Sequence, residues 1–282
     1  MIEFVIMLGL GNDYLYINCI KNREPLFPEE LAKRLSNRHF GVGADGIILV
    51  CNSKIADFKM RIFNSDGSEA EMCGNGIRGF AKYVYDYNLI DKNEFKIETL
   101  AGIRKVKLNT LNKSITENIT VDMGEPILHP VKIPVLTREE PPIKDLKIVI
   151  KNKIFTITCV SMGNPHAVVF VDDVAGFELE KYGPLFENHK MFPKRTNTEF
   201  VEILSRNEAK MRVWERGSAE TWACGTGTCA TVMACILNKK TDNKVLVHLR
   251  GGDLTIEYIP ETNHVFMTGP ATEVFSGEID II

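Results

Sequence analysis

The segment Met60-Arg-Ile-Phe-Asn-Ser-Asp-Gly-Ser-Glu-Ala-Glu-Met-Cys-Gly-Asn-Gly76 recurs later in the chain as Met211-Arg-Val-Trp-Glu-Arg-Gly-Ser-Ala-Glu-Thr-Trp-Ala-Cys-Gly-Thr-Gly227. The offset is a constant 151 residues, and six of the 17 positions are identical, including the cysteine and both glycines. Upstream, Leu10-Gly-Asn12 corresponds to Met162-Gly-Asn164 at an offset of 152 residues. This internal repeat predicts two similarly folded, pseudo-symmetric halves.

Short runs of β-branched, aromatic and alternating apolar residues dominate both halves and predict strands. The predicted strands cover residues 4–8, 14–18, 47–50, 58–63, 95–99, 104–109 and 119–123, and then 148–150, 155–161, 167–171, 200–204, 211–214, 245–249 and 254–259. Helical spacing of apolar residues predicts helices over 28–35, 76–89 and 226–237. We therefore expect an α/β (α+β) fold of two domains, each a sheet with one central helix that opens at Cys-Gly-x-Gly.

The proline-bearing segment from Pro126 to Pro142 is the expected linker between the halves. We place an N-terminal repeat domain at residues 1–125, to which the C-terminal strand crosses over, and a C-terminal repeat domain at 126–282. Between strands 148–150 and 155–161, the residues Lys151-Asn152-Lys153 are the expected hairpin turn, although they lack a glycine.

The composition is that of an ordinary globular chain, with 44% hydrophobic and 25% charged residues, which excludes intrinsic disorder. The formal net charge of −3 without a long basic run argues against a nucleic-acid partner. No run of about 18 apolar residues exists, and the N-terminal residues lack a basic leader, so we expect neither a membrane span nor a signal peptide. Seven scattered cysteines, an odd number, are typical of reduced thiols and favour a cytoplasmic protein.

Cys73 and Cys224 are the cysteines of the repeated motif, and the pattern places each at a helix N-terminus. Unpaired backbone N–H groups and the helix dipole favour negative charge there, so both thiols are expected to ionise more easily than a free cysteine. The neighbouring glycines leave the amides accessible to a ligand carboxylate. Two such helix ends facing one cleft suit the inversion of a stereocentre, in which one thiolate removes a proton and the opposite thiol returns one without a cofactor. The other five cysteines are expected to pack in the core: 19, 51, 159, 229 and 235.

An ordered set of motifs resembles the diaminopimelate epimerase family over residues 2 to 282. The set comprises Leu10-Gly-Asn-Asp, Phe63-Asn-Ser-Asp-Gly-Ser, Met72-Cys-Gly-Asn-Gly-Ile-Arg, Met162-Gly-Asn-Pro-His, Arg195-Thr-Asn, Glu215-Arg-Gly and Ala223-Cys-Gly-Thr-Gly. The resemblance implies a PLP-independent isomerase that interconverts LL- and meso-diaminopimelate for lysine and peptidoglycan biosynthesis. It also implies curved, barrel-like sheets, each around a central helix, with the active site between the domains. The enzyme would be a homodimer that acts on a small amino-acid substrate, with no cofactor, no metal, no nucleic acid and no membrane partner.

The same resemblance assigns roles to individual residues. Cys73 and Cys224 would be the acid/base pair, and His166 and Glu215 would adjust the pKa values of the two thiols. Gly74, Asn75, Gly225 and Thr226 would hold the reacting carboxylate at the helix starts. The remaining polar shell around the substrate, with Glu215 beside it, would consist of Asn12, Asn64, Asn164, Asn197 and Arg216. Arg216 is suited to a second, distal carboxylate because its guanidinium pairs with a carboxylate bidentately.

Two positions depart from the family pattern. Gly46 stands where some members carry a ligand-contacting Gln, and Ala219 replaces the Gly of the usual Gly-x-Gly-Glu-Thr run. These departures leave a related cofactor-independent racemase, acting on histidine or proline, as the alternative function.

Other hypotheses about the function fit the sequence less well. Two sets of glycines match the dinucleotide-binding pattern, which must leave a strand and open a helix. The glycines at 41, 43 and 46 lead into a strand, where a helix is required. Those at 74, 76 and 79 open a helix but follow an acidic loop, where a strand is required. The cysteines and dispersed histidines lack zinc-site spacing. A Cys–His hydrolase would leave one of the two repeated cysteines unused. A non-catalytic binding module would need only the glycines.

Overall fold

The computed structural model describes residues 1–111 and 115–280 and divides the chain into two compact units. Unit 1 is Met1–Val121 with Thr268–Ile282, and unit 2 is Asp122–Met267. The boundaries of these units lie within two strands, and the predicted start of an independent domain at residue 126 stays a prediction. Across the described ranges, no helix combines the length and the apolar character needed to cross a membrane.

Within the described residues, the strands and four helices follow in this chain order: β1 (Ile2–Gly9), β2 (Asn12–Asn18), α1 (Pro28–Ser36), β3 (Gly46–Cys51), β4 (Phe58–Asn64), β5 (Glu69–Ala70), α2 (Gly74–Asp86), β6 (Glu94–Thr99), β7 (Gly102–Leu111), β8 (Ile115–Gly124), β9 (Leu146–Ile150), β10 (Lys153–Ser161), β11 (Pro165–Phe170), α3 (Leu179–Glu187), β12 (Asn197–Ser205), β13 (Glu208–Glu215), β14 (Ala219–Thr221), α4 (Gly225–Leu237), β15 (Lys244–Leu249), β16 (Gly252–Ile259), β17 (His264–Gly269) and β18 (Thr272–Ile279).

In unit 1, β1 pairs antiparallel with both β18 and β2, and β2 pairs parallel with β3. β4 is antiparallel to β3, carries the short β5, and is parallel to β6, after which β7 and β8 continue antiparallel. The helix α2 packs against β1, β2, β3, β7 and β18 of this open, curved sheet.

Unit 2 repeats the same pairing pattern element by element. β10 is antiparallel to β9 and β11, β11 is parallel to β12, and β13 is antiparallel to β12 and β14 and parallel to β15. The helix α4 packs against β10, β11, β12 and β16. The predicted fold class, two pseudo-symmetric halves that each combine a mostly antiparallel sheet with a central helix, is confirmed.

Each central helix is stable because it is buried against its own sheet. On α2 the apolar face is fully buried at Ile77, Phe80, Ala81 and Val84. α4 is buried almost all round, from Thr228 to Cys235, as its uniformly apolar sequence predicts. Each unit has a second helix that packs on strands of the same unit. In unit 1, α1 packs against β3 and β4, and in unit 2, α3 packs against β9 and β12 to β14.

The helix α3 is one that the sequence analysis missed. Its sequence contains Gly183 and Pro184, both of which disfavour a helix interior. Tertiary packing explains the exception, because a Cβ at residue 183 would lie only 2.4 Å from the Trp214 ring. The glycine is what lets this helix lie directly on β13. The two short strands, β5 and β14, and the strand β17 were also missing from the predicted set. The C-terminal strand, which was expected without bounds, is β18 and pairs with β1.

The expected hairpin between β9 and β10 is present, with Ile150 opposite Lys153. Its two loop residues, Lys151 and Asn152, have φ values of 48° and 64°. Two successive positive φ values define the type I′ turn that suits the twist of paired strands, and here the turn forms without glycine.

Candidate active site

Cys73 and Cys224 occupy the N-cap positions of α2 and α4, both with extended backbone. The helices begin at the next residue, Gly74 or Gly225, so the Cys-Gly-x-Gly motif opens each helix as predicted. The backbone N–H groups of these first turns have no partner within their helix. Each unit therefore presents a thiol beside the amides of a first helical turn and the positive end of a helix dipole.

The thiol of Cys73 is half-buried and lies in a network of polar groups. Its sulfur accepts a hydrogen bond from the Gly76 amide at 3.3 Å and lies 3.5 Å from the Asn12 Oδ1 atom, to which it donates. The side-chain amide of Asn12 donates in turn to Asp45. Burial and the nearby Cys73 raise the pKa of the Tyr14 phenol. The predicted site residue Asn12 thus contacts the predicted acid/base residue directly.

Asp45 belongs to an exposed ion-pair network that supports this contact. Arg38 donates to both carboxylate oxygens of Asp13, at 3.0 and 2.7 Å, and to Asp45 at 3.1 Å. Burial raises the pKa of Asp45, and its bond to Asn12 opposes that shift. The sequence analysis did not single out Arg38, Asp13 or Asp45.

Asn75, in the first turn of α2, is buried and oriented by Arg78 on the next turn. Arg78 is fully buried, and it donates to the Asn75 Oδ1 atom and to the Gly74 carbonyl, each at 3.0 Å. It also donates to the carbonyl of Pro270 at 3.1 Å. These bonds fix the amide of Asn75 and hold the start of α2 against the segment that precedes β18.

The thiol of Cys224 is buried, with 6% of the residue exposed, and its sulfur lies 3.5 Å from the Thr226 hydroxyl. Burial, followed by the negative charges of Glu215 and Glu199, raises the pKa of this thiol well above its ordinary value. The prediction that the helix N-terminus makes this thiol easier to ionise is therefore wrong. The dipole is outweighed by desolvation and by two carboxylates.

His166 lies fully buried on β11 between two acceptors. Its Nδ1 atom is 2.7 Å from Glu199 Oε1, and its Nε2 atom is 2.9 Å from Asn164 Oδ1. Burial raises the pKa of the Glu199 carboxyl, and the neighbouring His166 opposes the shift. Two predicted site residues, His166 and Asn164, are therefore in contact. The carboxylate of Glu199, which the sequence analysis did not name, contacts the other ring nitrogen of His166.

Glu215 is the last residue of β13, and Arg216 begins the loop that follows. The Thr221 hydroxyl donates to Glu215 Oε1 at 2.5 Å, and the backbone N–H of Arg216 donates to Asn197 Oδ1 at 2.9 Å. The Arg216 side chain is exposed, and its Nη1 atom donates to the Lys194 carbonyl at 3.1 Å. The loop is thereby tied to the start of β12, which carries Asn197.

Glu187, the last residue of α3, anchors this loop from below. Its carboxylate accepts from the Trp214 indole at 2.7 Å, from the Gly217 amide at 2.9 Å, and from Arg195 at 2.8 Å. Glu187 is 6% exposed. Because α3 was not predicted, this anchor was not predicted either.

Asn64 is the last residue of β4, opposite Gly46 on β3. Its amide donates to the Ser68 hydroxyl at 3.0 Å within the turn that follows β4.

No group of three or more His, Cys, Asp or Glu side chains suited to a metal ion occurs in residues 1–111 or 115–280.

The two departures from the family pattern have structural explanations. A Cβ on Gly46 would lie 2.2 Å from the Phe63 carbonyl and 2.8 Å from the Tyr14 ring, so no side chain fits at this position. Ala219 has a φ of 60°, in the left-handed region where glycine is favoured. Ala219 therefore adopts the backbone conformation that glycine would adopt more easily, at some cost in backbone strain.

The repeat relates the two sites residue by residue. On the parallel strand pairs, Tyr14 faces Gly46 in unit 1 as His166 faces Asn197 in unit 2. Two residues further along the second strand of each pair, Ile48 in unit 1 corresponds to Glu199 in unit 2. The sequence signal that would have revealed Glu199 is this comparison, in which an apolar strand residue becomes an acid in the second copy.

Solved structures share the fold of this chain. A probable proline racemase from Agrobacterium radiobacter superposes with a TM-score of 0.74 at 13% identity, covering 100% of this chain and 94% of that one. A phenazine biosynthesis protein of the PhzF family from Bacillus anthracis gives a TM-score of 0.71 at 19% identity, covering 99% of both chains. At these identities the likeness shows the fold alone.

Sequence similarity is more specific than the fold. The sequence model of the family described as diaminopimelate epimerase matches residues 4–129 and 158–274. A diaminopimelate epimerase from Agathobacter rectalis is 69% identical over 99% of this chain and 100% of its own length. One from Methanococcus maripaludis is 53% identical over the same shares of the two chains. The chain belongs to the diaminopimelate epimerase family.

Proposed function

We propose that this chain is the isomerase that interconverts LL-2,6-diaminopimelate and meso-diaminopimelate in lysine and peptidoglycan biosynthesis. Relatives that carry this name match the chain from end to end at up to 69% identity. The structural observation that carries the proposal is the placement of Cys73 and Cys224 at the N-caps of equivalent helices in two copies of one unit.

The proposed reaction is a two-base proton transfer at Cα. One cysteine, as the thiolate, takes the Cα proton and becomes a thiol, while the other thiol gives its proton to the opposite face and becomes a thiolate. The C–H bond broken and the C–H bond formed balance, and the two cysteines exchange roles when the reaction runs backwards. No redox change occurs, and we propose that no cofactor takes part.

The charge that develops towards the reacting carboxylate needs stabilisation, because a Cα proton is weakly acidic. We assign this role to the helix starts, where Gly74 and Asn75 in unit 1 and Gly225 and Thr226 in unit 2 offer backbone N–H groups. Donors fixed in place before the reaction stabilise such charge without reorganising.

The remaining assignments follow from the contacts within each unit. His166 and Glu215 adjust the protonation of the thiols, in keeping with the charge of Glu215 beside Cys224. Arg216 binds the distal carboxylate of the substrate through its exposed guanidinium. The amide side chains that surround the substrate are those of Asn12, Asn64, Asn164 and Asn197.

We also infer a cytoplasmic homodimer. The seven cysteines are all free thiols, which suits a reducing compartment. The dimer is tested by light scattering on the eluate of a size-exclusion column, where a mass of one 31.8 kDa chain would contradict it.

The deciding experiment incubates the purified chain with LL-diaminopimelate in D₂O without added cofactor. Product should carry deuterium at Cα from the first turnovers, whereas recovered substrate should stay almost unlabelled, because the abstracting thiol holds the substrate's own proton. Histidine and proline, tested in parallel, should not be inverted. Inversion of either of these amino acids in preference to diaminopimelate would contradict the proposed substrate.

Cys73→Ala and Cys224→Ala should each abolish inversion, since either change leaves one face of the carbon without a proton carrier. Cys235→Ala, on the buried side of α4, is the matched control and should retain it. Substantial epimerisation by either active-site variant, or early product that retains the original proton, would exclude the two-thiol mechanism.

A further inference from the structure

Glu199 is a buried acid that the reaction scheme above does not use. It lies on β12 with 0% of its surface exposed. Its Oε1 atom contacts His166 Nδ1 at 2.7 Å, while its Oε2 atom has no hydrogen-bond partner within the described residues. A buried carboxyl group with one oxygen unpaired is unfavourable for folding, so its retention calls for another explanation.

The carboxylate lies beside Cys224 at the start of α4. A Cβ built on Gly227 would be 2.6 Å from Glu199 Oε1 and 3.2 Å from the Cys224 sulfur. The two atoms are therefore at most 5.8 Å apart, the sum of these two distances. Any side chain at residue 227 would collide with this carboxylate, which accounts for the second glycine of the motif in unit 2.

Unit 1 has no such charge at the equivalent place. A Cβ on Gly76 would meet the Ile48 Cδ1 atom at 2.8 Å, so an apolar group fills the corresponding space. His166 likewise corresponds to Tyr14 at the offset of 152 residues. The pair of His166 and Glu199 is thus a feature of the second copy alone, and it makes the surroundings of the two cysteines unequal.

We propose that Glu199 is a positioning residue that holds the imidazole of His166 by its Nδ1 atom and keeps Cys224 as the protonated thiol when substrate is absent. The proposal rests on the function proposed above, in which one cysteine must start as a thiol and the other as a thiolate. Oxygen atoms of Glu199 and Asn164 face the two ring nitrogens of His166, so these contacts fix the orientation of the imidazole. The enzyme would then rest with its proton donor already defined.

The direction of the charge effect is clear from the groups that face these residues. Burial and the carboxylates of Glu215 and Glu199 disfavour the thiolate of Cys224 and so raise its pKa. Burial and the charge of Glu199 also raise the pKa of the Cys159 thiol on β10. The titratable groups around Glu199 are therefore His166 on β11, Cys159 on β10, Glu215 on β13 and Cys224 at the start of α4. Removing the charge of Glu199 should favour the Cys224 thiolate.

The test is the pH dependence of alkylation by iodoacetamide in the full-length protein, with Cys73 and Cys224 followed separately by mass spectrometry of their peptides. In Glu199→Gln, which keeps an acceptor for His166 but removes the charge, Cys224 should alkylate about tenfold faster near pH 8, since each pKa unit changes the thiolate fraction about tenfold. The alkylation profile of Cys73 should not move. Glu199→Asp, which keeps the charge, should react more like the unsubstituted protein than Glu199→Gln does.

Glu202→Gln is the matched control on the same strand, because Glu202 accepts only a bond from the Val174 amide at 3.1 Å in the contacts described here. It should leave both alkylation profiles and turnover unchanged. Turnover of Glu199→Gln should fall in kcat with little change in KM, and its pH profile should shift to lower pH.

An unchanged Cys224 profile in a Glu199→Gln protein that melts like the unsubstituted one would overturn the proposal. If Glu199→Gln does not fold, the unsubstituted protein decides: a pH midpoint of alkylation that is higher for Cys224 than for Cys73 supports the proposal, and equal or reversed midpoints refute it. Alkylation does not require turnover. A chain that fails to epimerise diaminopimelate but shows the Cys224 shift would contradict the proposed function and not the role of Glu199.

Discussion

Glu187 offers a direct test of how the loop after β13 is held. Glu187→Ala removes the acceptor for the Trp214 indole and the Gly217 amide, and also the ion pair with Arg195. Hydrogen bonds to a charged group contribute about 1.5–3 kcal/mol each. The side chain of Arg195 is 53% exposed, so its ion pair adds little, and the exposed Gly217 amide can turn to water. We expect a loss of about 3 kcal/mol in the free energy of unfolding.

A loss of that size corresponds to a fall of about 6–12 °C in the melting temperature of a chain of this length. Differential scanning calorimetry, with urea unfolding as a second measurement, gives the value. Because this loop carries Arg216 and directly follows Glu215, turnover at a temperature where the variant is still folded should also fall.

The control is Glu178→Ala, at the other end of the same helix. The Glu178 carboxylate is exposed, and within the described residues it pairs only with Lys181. This exposed pair should contribute less than about 1 kcal/mol. A melting temperature of Glu187→Ala within 2 °C of the control would correspond to a loss of roughly 1 kcal/mol or less in the free energy of unfolding. That result would refute the anchoring role of Glu187.

Three further outcomes follow from the contacts described. Arg216→Lys keeps the charge but cannot form a two-pronged carboxylate contact, so kcat/KM for diaminopimelate should fall about ten- to hundredfold, and an unchanged value would refute the distal-carboxylate assignment. Gly46→Ala should lose about 3 kcal/mol or more in urea unfolding, because the new Cβ would lie 2.2 Å from the Phe63 carbonyl; a loss below 1 kcal/mol would mean that the backbone gives way easily. Two carboxylate partners raise the pKa of His248, so its contribution is fully present below its unfolded pKa and lost as pH rises through the folded pKa. His248→Gln should therefore lose about 0.5–1 kcal/mol near pH 5.5 and almost nothing near pH 9, and equal losses at both pH values would contradict this.

The sequence predicted those parts of the fold that repeat and follow a regular period. The offset of 151 residues between Cys73 and Cys224 was enough to predict two equivalent units and the helix starts at both cysteines. It was not enough for α3, because Gly183 and Pro184 argue against a helix until the packing of Trp214 is known. Local propensity and tertiary packing conflict at that point, and packing decides the structure.

The candidate site was predictable as a set of residues and less so as an electrostatic environment. The helix dipole at Cys224 is a local property that a sequence pattern indicates. Burial of that thiol, together with the carboxylates of Glu215 on β13 and Glu199 on β12, raises its pKa and reverses the predicted shift.

The pairing of β18 with β1, in which Ile279 lies opposite Ile2, has a consequence for synthesis of the chain. Unit 2 is one continuous stretch, Asp122–Met267, whereas unit 1 needs residues from both ends. As the chain leaves the ribosome, unit 2 has all of its strands before the first-made unit receives its edge strand. Until β18 is made, β1 presents an open backbone edge, and open edges pair readily with strands of other chains. Synthesis of β18 therefore completes the first-made unit and covers this edge of its sheet.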